Sequence, residues 1–269
     1  MLGLFFISPI LWITTISIQP IDVAYSGRYG FFPAETTLSA YLLVLVENQH
    51  NIRGALVYSF CMSSVSTVIS LLIALSAIYR MKADYEITRK VKQRILQFSV
   101  GLYFLPAFVV YPGLELLSDL YDGFQQSDLQ LLIVQIVLGY TVALILLLIV
   151  YASSQVSYFE QLLLETGSRT RAFAYGVVAT NATGTAVVSG ITFSTIWSDF
   201  FLSNLLTGTE STKPFSVVLQ MAEGQYKTDY SVFAAGAVLS LFAWVLFLAI
   251  VLILSAFIYV LTKKKEAIP

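Results

Sequence analysis

The sequence predicts an all-α integral membrane protein with six transmembrane helices, and three observations carry that class. Of the 269 residues, 57% are hydrophobic. Only 12% are charged, roughly half of the ~25% usual in globular chains. The apolar residues collect in long uncharged runs, and mean hydropathy is +0.79. A water-soluble domain could not solvate such a surface, which excludes a soluble enzyme, a disordered chain and a disulfide-stapled secreted module.

A spanning helix needs about 20 mainly apolar residues. Six runs meet that requirement: Leu2–Ile18, Ala55–Tyr79, Ile95–Leu117, Leu129–Ala152, Val177–Phe201 and Val232–Leu261. Lipid tolerates only helices and closed barrels, and these runs lack the period-two alternation of barrel strands. The first run has no basic leader and no clear small-x-small cleavage site before Arg28, so it reads as an uncleaved span. In FFPAETTLSAYLLVLVENQ, Pro33 and Glu35 suit a first helical turn, which predicts a short interfacial helix beginning near Ala34. Cys61 lies inside the second run and reads as a packed thiol. The acidic stretch from Glu115 to Asp128 reads as a solvated external loop.

The fifth run, VVATNATGTAVVSGITFSTIW, is the least apolar. Asn181, its Ser and Thr residues, Gly184 and Gly190 predict a helix that faces protein or a water-filled path, the plainer alternative being a close interhelical seam. Asn181, Ser194, Trp197 and Asp199 are the candidates for a translocation path. Asp199, at the outer end of that run, fits a functional carboxylate and a group meeting interfacial water equally well.

Charge gives orientation. Eleven of the fifteen basic residues fall in three segments that lie on one side: Arg80–Arg94 after the second run, Arg169 and Arg171 after the fourth, and Lys263–Lys265 in the tail. The positive-inside rule makes that side, and both termini, cytoplasmic. A net charge of −1 leaves no basic field for nucleic acid. One cysteine and one histidine, His50, argue against a conventional metal site. No GxxxxGK[ST], HExxH, GxSxG or CxxC is present, so the chain holds no nucleotide site of its own and an enzyme is not expected.

The segment SQVSYFEQLLLETGSRTRAFAYGVVATN resembles the signature loop of binding-protein-dependent ABC importer permeases, an EAA-like helix followed by a glycine turn. Aligned on Gly167, Gln161, Leu162 and Leu163 stand where the family has Glu-Ala-Ala, and Thr166 where it usually has Asp. IWSDFF resembles the segment that closes the fifth span in the sugar-importer branch, with Trp197, Asp199 and Phe200 matching. Pro33, Thr37, Leu38 and Tyr41 resemble the family's segment after the first span, Pro106 and Pro112 its third span, and Gly224, Tyr226 and Asp229 its entry to the last. The likeness is closest to the second permease of a maltose-type pair. The family's proline about 13 residues beyond the loop glycine is absent, with Thr180 near that point, so the start of the fifth span is expected to be shaped differently.

The resemblance implies a type I ABC importer (MetI-like) fold, one permease domain over 1–269 with its core at about 55–262. It implies that residues Phe159, Glu160, Gln161, Leu162, Leu163, Glu165, Thr166, Gly167, Arg169 and Arg171 form the ATPase-coupling loop. As a helix, Phe159, Leu162, Leu163 and Thr166 fall on one largely apolar stripe able to enter a partner groove. The implied partners are a second homologous permease, two ATP-binding cassette ATPases that use ATP and Mg, and an external sugar-binding protein delivering a carbohydrate; this chain binds no cofactor. The implied location is the plasma membrane. An ion-coupled secondary transporter is the main rival, weakened because Glu115 and Asp199, both near outer ends, are the only acids within the runs. A noncatalytic membrane scaffold is the other.

Overall fold

The computed structural model describes residues 2–20, 32–33, 35–47, 51–83, 93–95, 97–98, 101, 112–113, 116, 127–152, 156–199, 201–206, 213–221 and 230–266. Among them the chain is helical, with no strand. In chain order the helices are α1 (Leu2–Ser17), α2 (Ser39–Leu45), α3 (Ile52–Ala83), α4 (Ser127–Ala152), α5 (Val156–Thr166), α6 (Arg169–Phe173), α7 (Ala182–Trp197), α8 (Phe201–Leu206), α9 (Phe215–Met221) and α10 (Tyr230–Glu266). A π-helical turn, Ala174–Ala179, lies between α6 and α7.

Among the described residues, three helices are long and apolar enough to cross a membrane, within α3, α4 and α10. They match the second, fourth and sixth predicted spans. The first span is helical over 16 residues, about 24 Å, which is short against a hydrocarbon core of about 30 Å. The third, including Pro106, lies almost wholly outside the described residues. The fifth is divided into the end of the π turn, α7 and the first residue of α8.

The chain divides into two compact units. The first holds 1–61 and 199–245. Here the Thr37 N–H donates to the Ile18 carbonyl (2.8 Å), and the Ser17 and Tyr41 hydroxyls share a hydrogen bond of 2.7 Å. The Ser39 N–H donates to Thr37 Oγ1 at 3.1 Å. This turn holds residues 35–38 out of a helix, so α2 starts at Ser39 and not near Ala34. Ser59 Oγ accepts the Phe215 N–H, which has no partner inside α9, and the Ser231 hydroxyl donates to the Gln19 carbonyl.

The second unit holds 62–198 and 246–269. Its core joins Ala74, Ile78 and Met81 of α3, Ala143, Leu144, Leu147 and Tyr151 of α4, Ala172 and Phe173 of α6, and Val177 and Val188. Phe173 meets Tyr79 edge to face at 5.3 Å. Phe193 stacks on Phe247 at 3.9 Å. The buried face of α3 in this unit continues at helical spacing through Ser63, Ser66, Thr67 and Ser70. Cys61, expected to be packed, is exposed on α3, two residues before the buried Ser63.

Candidate functional site

The predicted coupling loop forms a helix, a turn and a second helix. α5 is amphipathic and ends where Gly167 adopts φ 61°, the left-handed region. The Gly167 N–H donates to the Leu163 carbonyl at 3.0 Å, the single bond that closes a left-handed C-terminal cap. A Cβ at Gly167 would meet nothing within 4 Å, so the requirement for glycine is the dihedral and not space. Thr166 Oγ1 donates to the Leu162 carbonyl at 2.6 Å and lies 3.4 Å from the Ser168 N–H. Ser168 is extended and begins α6, its carbonyl accepting the Ala172 N–H.

The faces of α5 differ from the stripe the sequence suggested. Leu162 and Leu163 are half-buried and pack against the unit's own core. The side chain of Phe159 lies outside the described residues. Glu160, Gln161, Leu164 and Glu165 are exposed, as are Arg169 and Arg171 on α6. Leu164 is 86% exposed, the one large apolar side chain of α5 exposed among the described residues, and it was missed because three consecutive leucines cannot be sorted into inner and outer by type alone.

Within the second unit, Asn181 and Ser194 do not converge. Asn181 precedes α7 and is separated from Ser194 by thirteen residues, about 20 Å along a helix. Its Nδ2 donates to the Val177 carbonyl (2.8 Å), and its own carbonyl accepts from the Thr185 N–H and hydroxyl. Ser194 is half-buried and its carbonyl accepts the Ser198 N–H. Trp197 stacks on Phe193 at 5.5 Å. Asp199 belongs to the first unit, where its carboxylate accepts from the Ser203 hydroxyl at 3.2 Å and its carbonyl from Ser216. Asn181 and Asp199 thus serve backbone and helix-end bonds. At the start of the fifth span the π turn ends at Ala179, with Thr180 as its cap.

Sequence reading assigned the polar seam to α7 and overlooked the one in α3. The Ser66 hydroxyl donates to Gln135 Oε1 (3.0 Å), Ser70 to the Ile136 carbonyl (2.9 Å) and Thr67 to the Ser63 carbonyl (2.6 Å). Serines spaced three and four apart, with a glutamine inside a long apolar run, were the available signal. A Cβ on Gly139 would lie 2.6 Å from Ser70 Oγ and 2.8 Å from Ile196 Cδ1, so α3, α4 and α7 meet at a glycine. Among the described residues, no group of three or more His, Cys, Asp or Glu could hold a metal ion. No protein-family model matches this chain, and no curated protein matches it.

Proposed function

We propose that the chain is a permease subunit of an ATP-driven importer for a carbohydrate, with six spans, working by alternating access in the plasma membrane with both termini cytoplasmic. The observation that carries the reading is the connector 156–171: an amphipathic helix capped by Gly167 at φ 61°, a second helix with exposed Arg169 and Arg171, and Leu164 standing free of the chain's own core. Such a surface suits docking into a cytoplasmic ATPase, with Leu164 as the apolar anchor and Glu160, Glu165 and the arginines as a polar rim. Closure of two ATPases, each binding ATP and Mg, would drive this connector and that of a second homologous permease together and reorient the spans. Sugar would arrive on an external binding protein.

Reconstitution tests this. Vesicles holding the chain, its partner permease and the ATPases should hydrolyse ATP faster when sugar-loaded binding protein is added, and an ion gradient alone should move no sugar. Accumulation of solute by this chain alone under a proton or sodium gradient would replace the importer with an ion-coupled carrier. A response only to binding protein loaded with amino acids or peptides would keep the importer and remove the carbohydrate.

A further inference from the structure

We infer that the π turn Ala174–Ala179 is a register-shift hinge, through which α6 rotates about its axis relative to α7. A π turn carries one residue more than the α turn it replaces, and such turns occur mostly as isolated bulges inside α-helices. This one sits between two α-helical pieces of the same unit. Absorbing its extra residue into α geometry would turn α6 by about 100° and shift it by about 1.5 Å relative to α7.

The hydrogen bonds around the turn suit an exchange between two registers. In an α-helix the Gly176 carbonyl would accept the Thr180 N–H, and the Val177 carbonyl the Asn181 N–H. In the π form the side chains of those same two residues take over. Thr180 Oγ1 donates to Gly176 O at 2.8 Å, and Asn181 Nδ2 to Val177 O at 2.8 Å. Each carbonyl therefore keeps a donor from the same residue in both forms, which matters where an unsatisfied carbonyl in lipid would cost several kcal/mol.

Slack exists at one end and a latch at the other. Upstream, Gly167 lies in the left-handed region with open space around it, and can absorb a change in the direction of α6. Phe173, the last residue of α6, sits edge to face on Tyr79 at 5.3 Å. Rotation by about 100° would withdraw Phe173 from that contact, so the pair holds the π register until α6 is moved.

The hinge is a property of the backbone and does not depend on what the protein carries. Its test uses the full chain in lipid nanodiscs, in a Cys61→Ser background, with spin labels at Arg171 and Ser198 and no other protein present. Two inter-label distances are expected. Asn181→Leu, which removes the shorter of the two side-chain bonds to Val177 O and leaves that from Thr180 Oγ1 at 3.2 Å, should shift their ratio toward the α register by about threefold, the weight of one membrane hydrogen bond. Deletion of Val178 removes the extra residue and should leave one distance, equal to that of the π form because the flanks keep their relation. If the deletion does not insert, the Asn181→Leu ratio decides. A single distance in the unmutated chain, or a ratio that Asn181→Leu leaves unchanged, overturns the hinge.

Discussion

Helices α3 and α10 are both long and apolar enough to cross a bilayer, yet they turn different chemistry toward their neighbours. In α3, 33% of the most apolar window is buried, and within the second unit its inner face carries Ser63, Ser66, Thr67 and Ser70 while Val65, Val68 and Leu72 point out. In α10 only 11% is buried, and Leu252, Ile253, Leu254, Phe257 and Val260 are all exposed. A soluble protein would arrange α3 the other way round. Lipid tails are as apolar as leucine, so sequestering apolar side chains from lipid gains nothing, and helices associate through hydrogen bonds and close backbone approach instead. From Ser63 to Ser70, then, polarity marks the protein-facing side of α3, while from Ala74 to Met81 that side is apolar. On α10 no polar face exists, and its apolar surround fits lipid.

The largest effect should come where the α3 seam is tightest. Gly139→Leu would force a side chain into Ser70 and Ile196, which a Cβ alone would approach to 2.6 and 2.8 Å. Overpacking of this kind costs about 1–3 kcal/mol, and here it also parts Ser70 from the Ile136 carbonyl. Denaturant unfolding in bicelles should register the loss, whereas an unchanged midpoint would mean that the three helices do not meet as closely as described.

Gly167 presents the opposite case, a glycine with ample space and a demanding dihedral. Gly167→Val should cost about 1–2 kcal/mol locally, because a β-branched residue is excluded from the left-handed region, and Gly167→Asn should recover part of it. Insertion of the spans should survive both changes. Stimulated ATP hydrolysis in the reconstituted complex should fall with Val and return in part with Asn; full activity with Val would remove the turn from the coupling path.

The contrast between α3 and α10 also explains how much the sequence revealed. Length and hydropathy place the long spans to within a few residues: Leu129–Ala152 was expected and Ser127–Ala152 is found. The connector helix and its glycine were expected from the family resemblance instead, and Gly167 is found in the left-handed region at the end of that helix. Length and hydropathy do not say which face of a leucine run turns inward, and so Leu162 and Leu163 were assigned to a partner while Leu164 was overlooked. The start of α2 was missed because a bond from Thr37 to Ile18, nineteen residues away, holds the chain extended where local propensity favours helix. The interruptions at Asn181 and Ser198 have no proline to announce them, and only side-chain bonds such as Thr180 to Gly176 make the first visible. Asn181 and Asp199 looked functional for the same reason: a polar residue in an apolar run signals that something satisfies it, without saying whether that is a ligand or the backbone.

A smaller effect separates the seam's hydrogen bonds from its packing. Ser66→Ala and Gln135→Leu should each destabilise the chain, with a coupling energy of about 0.6 kcal/mol between them, the typical value for an interhelical bond in lipid. A double-mutant cycle on unfolding measures it. Zero coupling would leave close packing at Gly139 as what holds α3 to α4.

The smallest effect is expected on α10. Ile253 is 68% exposed, so Ile253→Ala removes side-chain atoms whose neighbours, on the lipid reading, are acyl chains. Acyl chains are fluid and fill the space, so no cavity remains to be penalised as it would in a packed core. The transfer term also vanishes, since the methylenes leave one hydrocarbon environment in both the folded and the inserted, unpacked state. The change in unfolding free energy should stay within about 0.5 kcal/mol, as for surface substitutions generally. The same variant should be measured in the importer assembly proposed above: a neutral effect in the isolated chain combined with weakened assembly would show that α10 faces a partner subunit, not lipid. The exposed face of α10 would then have a protein partner held by apolar packing alone.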